Sequence, residues 1–255
     1  MDINKILRVS SYAGRIILEN GGETYRVEET ICRICAAYGF TEADGFVTPT
    51  GIMVSVTDKY GRTSSTVKRV KNRTVNLEKI AQVNELSRIV ATDKLSIDEF
   101  YIKLREIESC ERYSEKITVI FAAIAAGAFS IMFGGNIIDG ICAFFVGLAV
   151  KVVCNIAAEF SINEFFINCL GGAISAALAL IFVSLGFGEN LDMIIIGAIM
   201  LLVPGLAITN AIRDTIAGDL VSGLTRAAES FLVAISIAIG TGTVLSFWFK
   251  YFGGI

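Results

Sequence analysis

The chain has 255 residues, 54% of them hydrophobic and 18% charged, with a formal net charge of −3 and a mean hydropathy of +0.64. It contains 6 Cys and no His. The lack of His excludes Ser-His-Asp triads, imidazole metal ligands and the usual near-neutral proton shuttle, so any proton carrier must be a carboxylate. The charge is unevenly spread: residues 1–116 hold 18 of the 22 Lys and Arg and 17 of the 25 Asp and Glu, leaving 4 and 8 for residues 117–255. The expected fold class is an α-helical polytopic membrane protein with an N-terminal cytoplasmic α+β domain. The soluble domain is expected over 1–116 and a transmembrane domain of about five helices over 117–255.

No signal peptide is expected, because Met1–Ser10 is amphipathic and charged. Ile6, Val9, Ala13 and Ile16 recur at helical spacing, as do Val27, Ile31, Ile34 and Tyr38, and Gly21-Gly22 separates these two helices. Cys32-x-x-Cys35 has no second pair and no His to complete a metal site, so core packing and reduced thiols are expected, with no metal and no cofactor. Ile52, Val54 and Val56 alternate with Met53, Ser55 and Thr57 as in a half-buried strand. Asp58–Gly61 reads as a turn, Thr63–Val70 as the paired strand, and Phe46–Thr48 as a third. The basic run Lys68-Arg69-x-Lys71-x-Arg73 fits a solvated strand and turn better than a nucleic-acid or lipid contact. Two helices follow, near Leu77–Ala91 and Ile97–Glu111. Ser96 and Glu99 form a capping box for the second, with Leu95 placed to staple to Phe100. The polar stretch Glu111–Lys116 then leads to the membrane part, so motion of the soluble domain could reach it mechanically.

Apolar runs at 117–133, 137–158, 165–187, 191–212 and 231–249 are the expected spans. The links Gly134–Asn136 and Gly188–Asn190 carry no Lys or Arg and suit the far side, whereas Arg213 and Arg226 flank a link suited to the cytoplasm. Lys250–Ile255 would then lie outside. Asp139 is expected to mark the outer interface and Lys151 to snorkel to the inner one. Asn155, Asn168 and Asn210 can bond between helices. Gly171-Gly172-Ala173-x-Ser175-Ala176-Ala177 offers a packing face to another span or another subunit, which leaves room for a homo-oligomer.

The segment from Pro204 to Glu229 carries the chemistry. Pro204-Gly205 interrupts the fourth run, and broken helices in transporters tend to sit at substrate or ion sites. Charges near hydrocarbon cost on the order of 2.5–3.5 kcal/mol each, yet the segment holds Arg213, Asp214, Asp219 and Arg226. If 212–229 stays helical, Thr215, Asp219, Ser222, Arg226 and Glu229 share one narrow stripe, opposed by Ile212, Ile216, Leu220 and Leu224. Gly218 and Gly223 could break that pattern. Arg213 and Asp214 are adjacent, point apart and are expected to meet different partners. An Arg suits a substrate carboxylate, an Asp suits an ammonium, and a carboxylate in a low-dielectric site can carry a proton near neutrality. The plainer reading is a polar elbow facing the cytoplasm. Asp214 and Asp219 stand about 140° apart on a helix, a poor arrangement for one metal ion, so no catalytic residue is assigned.

Ala13-Gly14, Leu18, Gly21-Gly22 and Tyr25-Arg26-Val27-Glu28 resemble the opening signature of the bacterial threonine/serine exporter family. Pro204-Gly205, Asn210, Arg213-Asp214, Gly218-Asp219, Ser222-Gly223, Arg226 and Glu229 resemble its late membrane signature. The resemblance implies a proton-driven secondary exporter in the inner membrane, not an enzyme, with threonine and serine as substrates or a dicarboxylate such as succinate in one branch. It also implies the larger component of a split form that works with a separate subunit of about four helices. A membrane-anchored sensor or scaffold is the remaining alternative. The expected partners are thus a small-molecule substrate, the bilayer and that subunit, with no nucleic acid.

Overall fold

The computed structural model describes residues 2–93, 95–110 and 113–253. Glu111 and Arg112 of the expected polar connector, and Gly254 and Ile255 at the far end, lie outside the described residues. The chain forms two compact units. One joins Met1–Glu111 to Gly205–Ala228, and the other joins Arg112–Pro204 to Glu229–Ile255.

In the first unit, α1 (Ile3–Glu19) starts at Asp2, whose side chain accepts from Asn4 N. It ends where the Gly22 N–H bonds back to the Ile17 carbonyl at 2.9 Å, with Gly21 at φ +94°. That left-handed turn is cheap only for glycine. Helix α2 (Thr24–Ala37) returns alongside α1. A three-stranded antiparallel meander follows, β1 (Glu42–Thr48), β2 (Gly51–Thr57) and β3 (Thr63–Arg69), in the order β1-β2-β3. Ile52, Val54 and Val56 are buried while Met53 is 46% exposed, as the alternation requires. β1 begins four residues before the expected Phe46, because Glu42–Gly45 have little strand propensity of their own and are held by pairing with Val54–Thr57.

Helices α3 (Leu77–Asp93) and α4 (Ile97–Ser109) complete this part, and α4 carries the full Ser96/Glu99 capping box. Phe100 and Leu104 join Ile6, Ile16, Ile17, Ile31 and Ile34 in one core. Cys35 is in that core, and burial pushes its thiol up to about 11. Cys32 is half-buried and donates to the Ala43 carbonyl at 3.2 Å.

The second unit contains α5 (Glu115–Met132), α6 (Ile137–Glu159), α7 (Glu164–Ser184), α8 (Leu191–Ile199) and the later part of α10 (Leu220–Phe252). Among the described residues, α5, α6, α7 and α10 are the four helices long and apolar enough to cross a membrane. Phe121 at 65% and Phe166 at 64% exposure show the kind of surface that hydrocarbon covers.

The expected fourth span over 191–212 is not one helix. α8 stops at Ile199, an interruption runs through Met200–Pro204, and α9 (Gly205–Ala217) belongs to the first unit. Nine residues rise only about 14 Å, against about 30 Å of hydrocarbon. Pro204 disfavours helical backbone at Val203 and supplies no N–H, which keeps the two pieces apart.

The small-residue face of α7 packs against neighbours in its own unit. A Cβ on Gly172 would lie 2.6 Å from the Ile237 carbonyl, and Thr241 donates its hydroxyl to the Gly172 carbonyl at 3.2 Å.

Candidate functional site

The polar residues between Gly205 and Ala228 meet inside the first unit, on the loop that joins α1 to α2. Helix α9 ends in a Schellman turn: Gly218 N–H bonds to the Thr215 carbonyl (3.2 Å), and Asp219 N–H bonds to the Asp214 carbonyl (2.9 Å). Gly218 has φ +96°, so the continuous helix over 212–229 and its single polar stripe do not exist. The chain folds back on itself, and a Cβ on Gly223 would stand 2.1 Å from Thr215 Oγ1. This hairpin turns Asn210, Asp214, Ser222 and Arg226 inward and leaves Ile212 56%, Ile216 81% and Leu224 73% exposed.

Asp214 is fully buried and Arg226 is 5% exposed. Arg226 Nε lies 3.0 Å from Asp214 Oδ2, an ion pair rather than a directed hydrogen bond, and its Nη2 donates to the Gly22 carbonyl at 2.8 Å. Asp214 Oδ1 accepts from the Thr24 backbone N–H at 3.1 Å, and the Thr24 hydroxyl donates to Asp219 Oδ2 at 3.3 Å. Asn210 is 1% exposed and donates Nδ2–H to the Gly21 carbonyl at 2.8 Å, while its Oδ1 is buried with no hydrogen-bond partner among the described residues. Ser222 donates to the Val47 carbonyl at 3.3 Å, and Val47 N–H donates to Glu28 Oε1 at 2.8 Å. Arg213 points elsewhere and bonds Glu23 at 2.6 Å; Glu23 also accepts from Arg26 Nε at 2.8 Å. The adjacent Arg213 and Asp214 therefore do meet different partners.

The two kinds of carboxylate titrate in opposite directions. Desolvation pushes Asp214 above the ordinary carboxylate value; Arg226 and the Thr24 hydrogen bonds oppose this, and Asp219 adds to it. Burial likewise raises Glu28, with the Val47 bond opposing and Asp219 and Asp214 adding. Burial also acts to raise Glu23, but the hydrogen bonds from Arg26, its own backbone and Arg213 outweigh it, so the net shift is downward. Chemically, the site holds a buried acid disposed to keep a proton beside cations that can host an anion. Among the described residues no group of three or more Cys, Asp or Glu is placed to hold a metal ion.

The bonds just described do not include the remaining sequence candidates. Pro204 ends the interruption and Gly205 opens α9. Glu229 and Lys151 belong to the second unit and are half-buried on α10 and α6. Asp139 is fully buried. It accepts from Asn136 N–H (3.0 Å), Glu189 N–H (2.9 Å), Asn190 N–H (3.0 Å) and Asn190 Nδ2 (2.7 Å). It thus ties together the two links 134–136 and 188–190, which carry no Lys or Arg.

Sequence reasoning did not name Gly21, Gly22, Glu23, Thr24, Glu28 or Val47 as parts of a site. The available signal was that two polar signatures, some 190 residues apart, both sit where apolar residues would serve packing better.

A family model described as "Putative threonine/serine exporter" matches residues 8–248, spanning both signatures and the candidate membrane helices. The chain belongs to this ThrE family. ThrE relatives include the "Probable succinate transporter subunit YjjP" of Klebsiella aerogenes and of Escherichia coli K12. Each is 20% identical over 244 residues, covering 95% of this chain and 94% of theirs. The "Threonine/serine exporter" of Corynebacterium glutamicum is 22% identical over 244 residues, and this chain spans 50% of its length. No solved structure matches the chain. A ThrE-family transporter with several apolar helices is a membrane protein.

Proposed function

We propose that this chain is one subunit of a proton-coupled secondary exporter of threonine, serine or related small carboxylates. It would sit in the bacterial cell membrane with residues 1–116 on the cytoplasmic side. The observation that carries this reading is the family match across residues 8–248. Links 134–136 and 188–190, free of Lys and Arg, favour that orientation. Likeness to relatives named transporter subunits, over 94% of their length, favours a separate small membrane subunit as partner. The same likeness favours a second reading, in which the cargo is a dicarboxylate such as succinate.

We place the inner end of the substrate path at Pro204–Glu229. Here each charge already holds a partner within the protein, so a substrate would exchange partners rather than fill a vacant hole. Its carboxylate would compete with Glu23 for Arg213, its ammonium would compete for Asp219, and Asp214 would carry the proton. The test is transport of labelled threonine, serine and succinate by proteoliposomes holding this chain with and without a four-helix partner. Transport of one of them driven by a proton gradient is expected; transport of none by the reconstituted pair sinks the proposal. Asp214→Asn and Arg213→Ala are expected to abolish export while the protein still inserts. Wild-type rates in both would reduce the segment to an elbow.

A further inference from the structure

A cleft of about 320 Å³ opens between α1, β3 and α4, and four of the residues lining it are cations. Arg8 and Arg15 come from α1, two turns apart on one face, and Lys68 and Arg69 close the end of β3. Among the described residues, Arg15 is the one of the four paired with carboxylates, Glu108 at 2.6 Å and Glu19 at 3.7 Å. Arg8 donates to the Tyr101 hydroxyl at 3.4 Å and lies 5.3 Å from the centre of that ring. Lys68 and Arg69 form no ion pair among the described residues, so three of the four cations that line the cleft hold no carboxylate, while Glu108, which pairs with Arg15, also accepts from the Tyr12 hydroxyl.

Like charges 4–10 Å apart in water repel by roughly 0.4–1 kcal/mol per pair, and such repulsion serves nothing in packing. A compact dianion reverses its sign, and the forked guanidinium groups match phosphate oxygens. The Tyr12 and Tyr101 rings, with centres 5.4 Å apart, add an aromatic wall for an organic group. We propose that this cleft binds a soluble phosphate-bearing molecule of at least two negative charges, a ligand distinct from the cargo.

The full chain in nanodiscs of phosphatidylcholine is titrated calorimetrically with inorganic pyrophosphate. Saturable binding is expected, weakened roughly tenfold or more by Lys68→Gln/Arg69→Gln and likewise by Arg8→Gln. Lys59→Gln/Arg62→Gln removes equal charge from the β2–β3 turn and should leave the affinity unchanged. Any of four results overturns the proposal: no saturable binding; equal weakening by both charge pairs; succinate binding as tightly as pyrophosphate; or displacement of pyrophosphate when phosphatidylglycerol is added to the discs, which would assign the cleft to lipid headgroups.

Discussion

Asp214 and Arg226 have been withdrawn from water together, and each limits what can be done to the other. Removing one member of a buried pair leaves an uncompensated charge, at a cost of about 3–5 kcal/mol. Arg226→Ala should lower the thermal midpoint in detergent accordingly, and Asp214→Ala/Arg226→Ala should cost less than the sum of the two single changes. An additive result would mean that the pair is not coupled. The pH dependence has a defined sign. Burial raises the Asp214 carboxyl in the folded state, so the native protein binds the extra proton. The stability linked to that proton is complete below the unfolded pKa and is lost as pH rises through the folded one. Relative to Asp214→Asn, the wild type should therefore lose thermal stability as pH rises from about 4 upward. A gap independent of pH would mean that Asp214 titrates as an ordinary surface Asp.

At the scale of elements, glycines decide which helices approach. A Cβ on Gly240 would lie 1.9 Å from the Cys169 carbonyl, whereas Gly242, two residues on, has nothing within 4 Å. Gly240→Leu should abolish accumulation of folded protein in the membrane and Gly242→Leu should be tolerated, as read by size-exclusion profiles in detergent. Gly218→Ala forces a side chain into left-handed backbone at about 1–2 kcal/mol and should loosen the α9–α10 hairpin. The elements legible in the sequence were those with local causes: the Ser96/Glu99 box, the alternation over 52–56 and the glycine-ended α1. What was not legible depended on distant partners. β1 over Glu42–Gly45 exists through its register with β2, and the hairpin's polar face exists because the α1–α2 loop offers two carbonyls and an N–H to it. The same Gly218 that a helical wheel treats as one more position ends the helix and brings Asp214 toward Arg226.

The whole molecule is ordered differently in space and in sequence. Its first unit borrows Gly205–Ala228 from beyond α5–α8. A chain lacking residues 1–110 keeps its four candidate membrane helices but takes from Asn210, Asp214 and Arg226 the partners that Gly21, Gly22 and Thr24 supply, and loss of export is expected. Normal export by that chain would show these contacts to be dispensable. The borrowing also sets a timetable for biosynthesis. Thr24 emerges about 200 residues ahead of Arg226, which at 5–20 residues per second is roughly 10–40 s. Throughout that interval the Thr24 amide and the Gly22 carbonyl have only water to bind, and the Glu23 carboxylate has Arg26 without Arg213. The domain translated first is therefore sealed last, after the intervening helices have left the ribosome. A nascent chain that stalls before Arg226 carries an open polar seam at its N-terminal end.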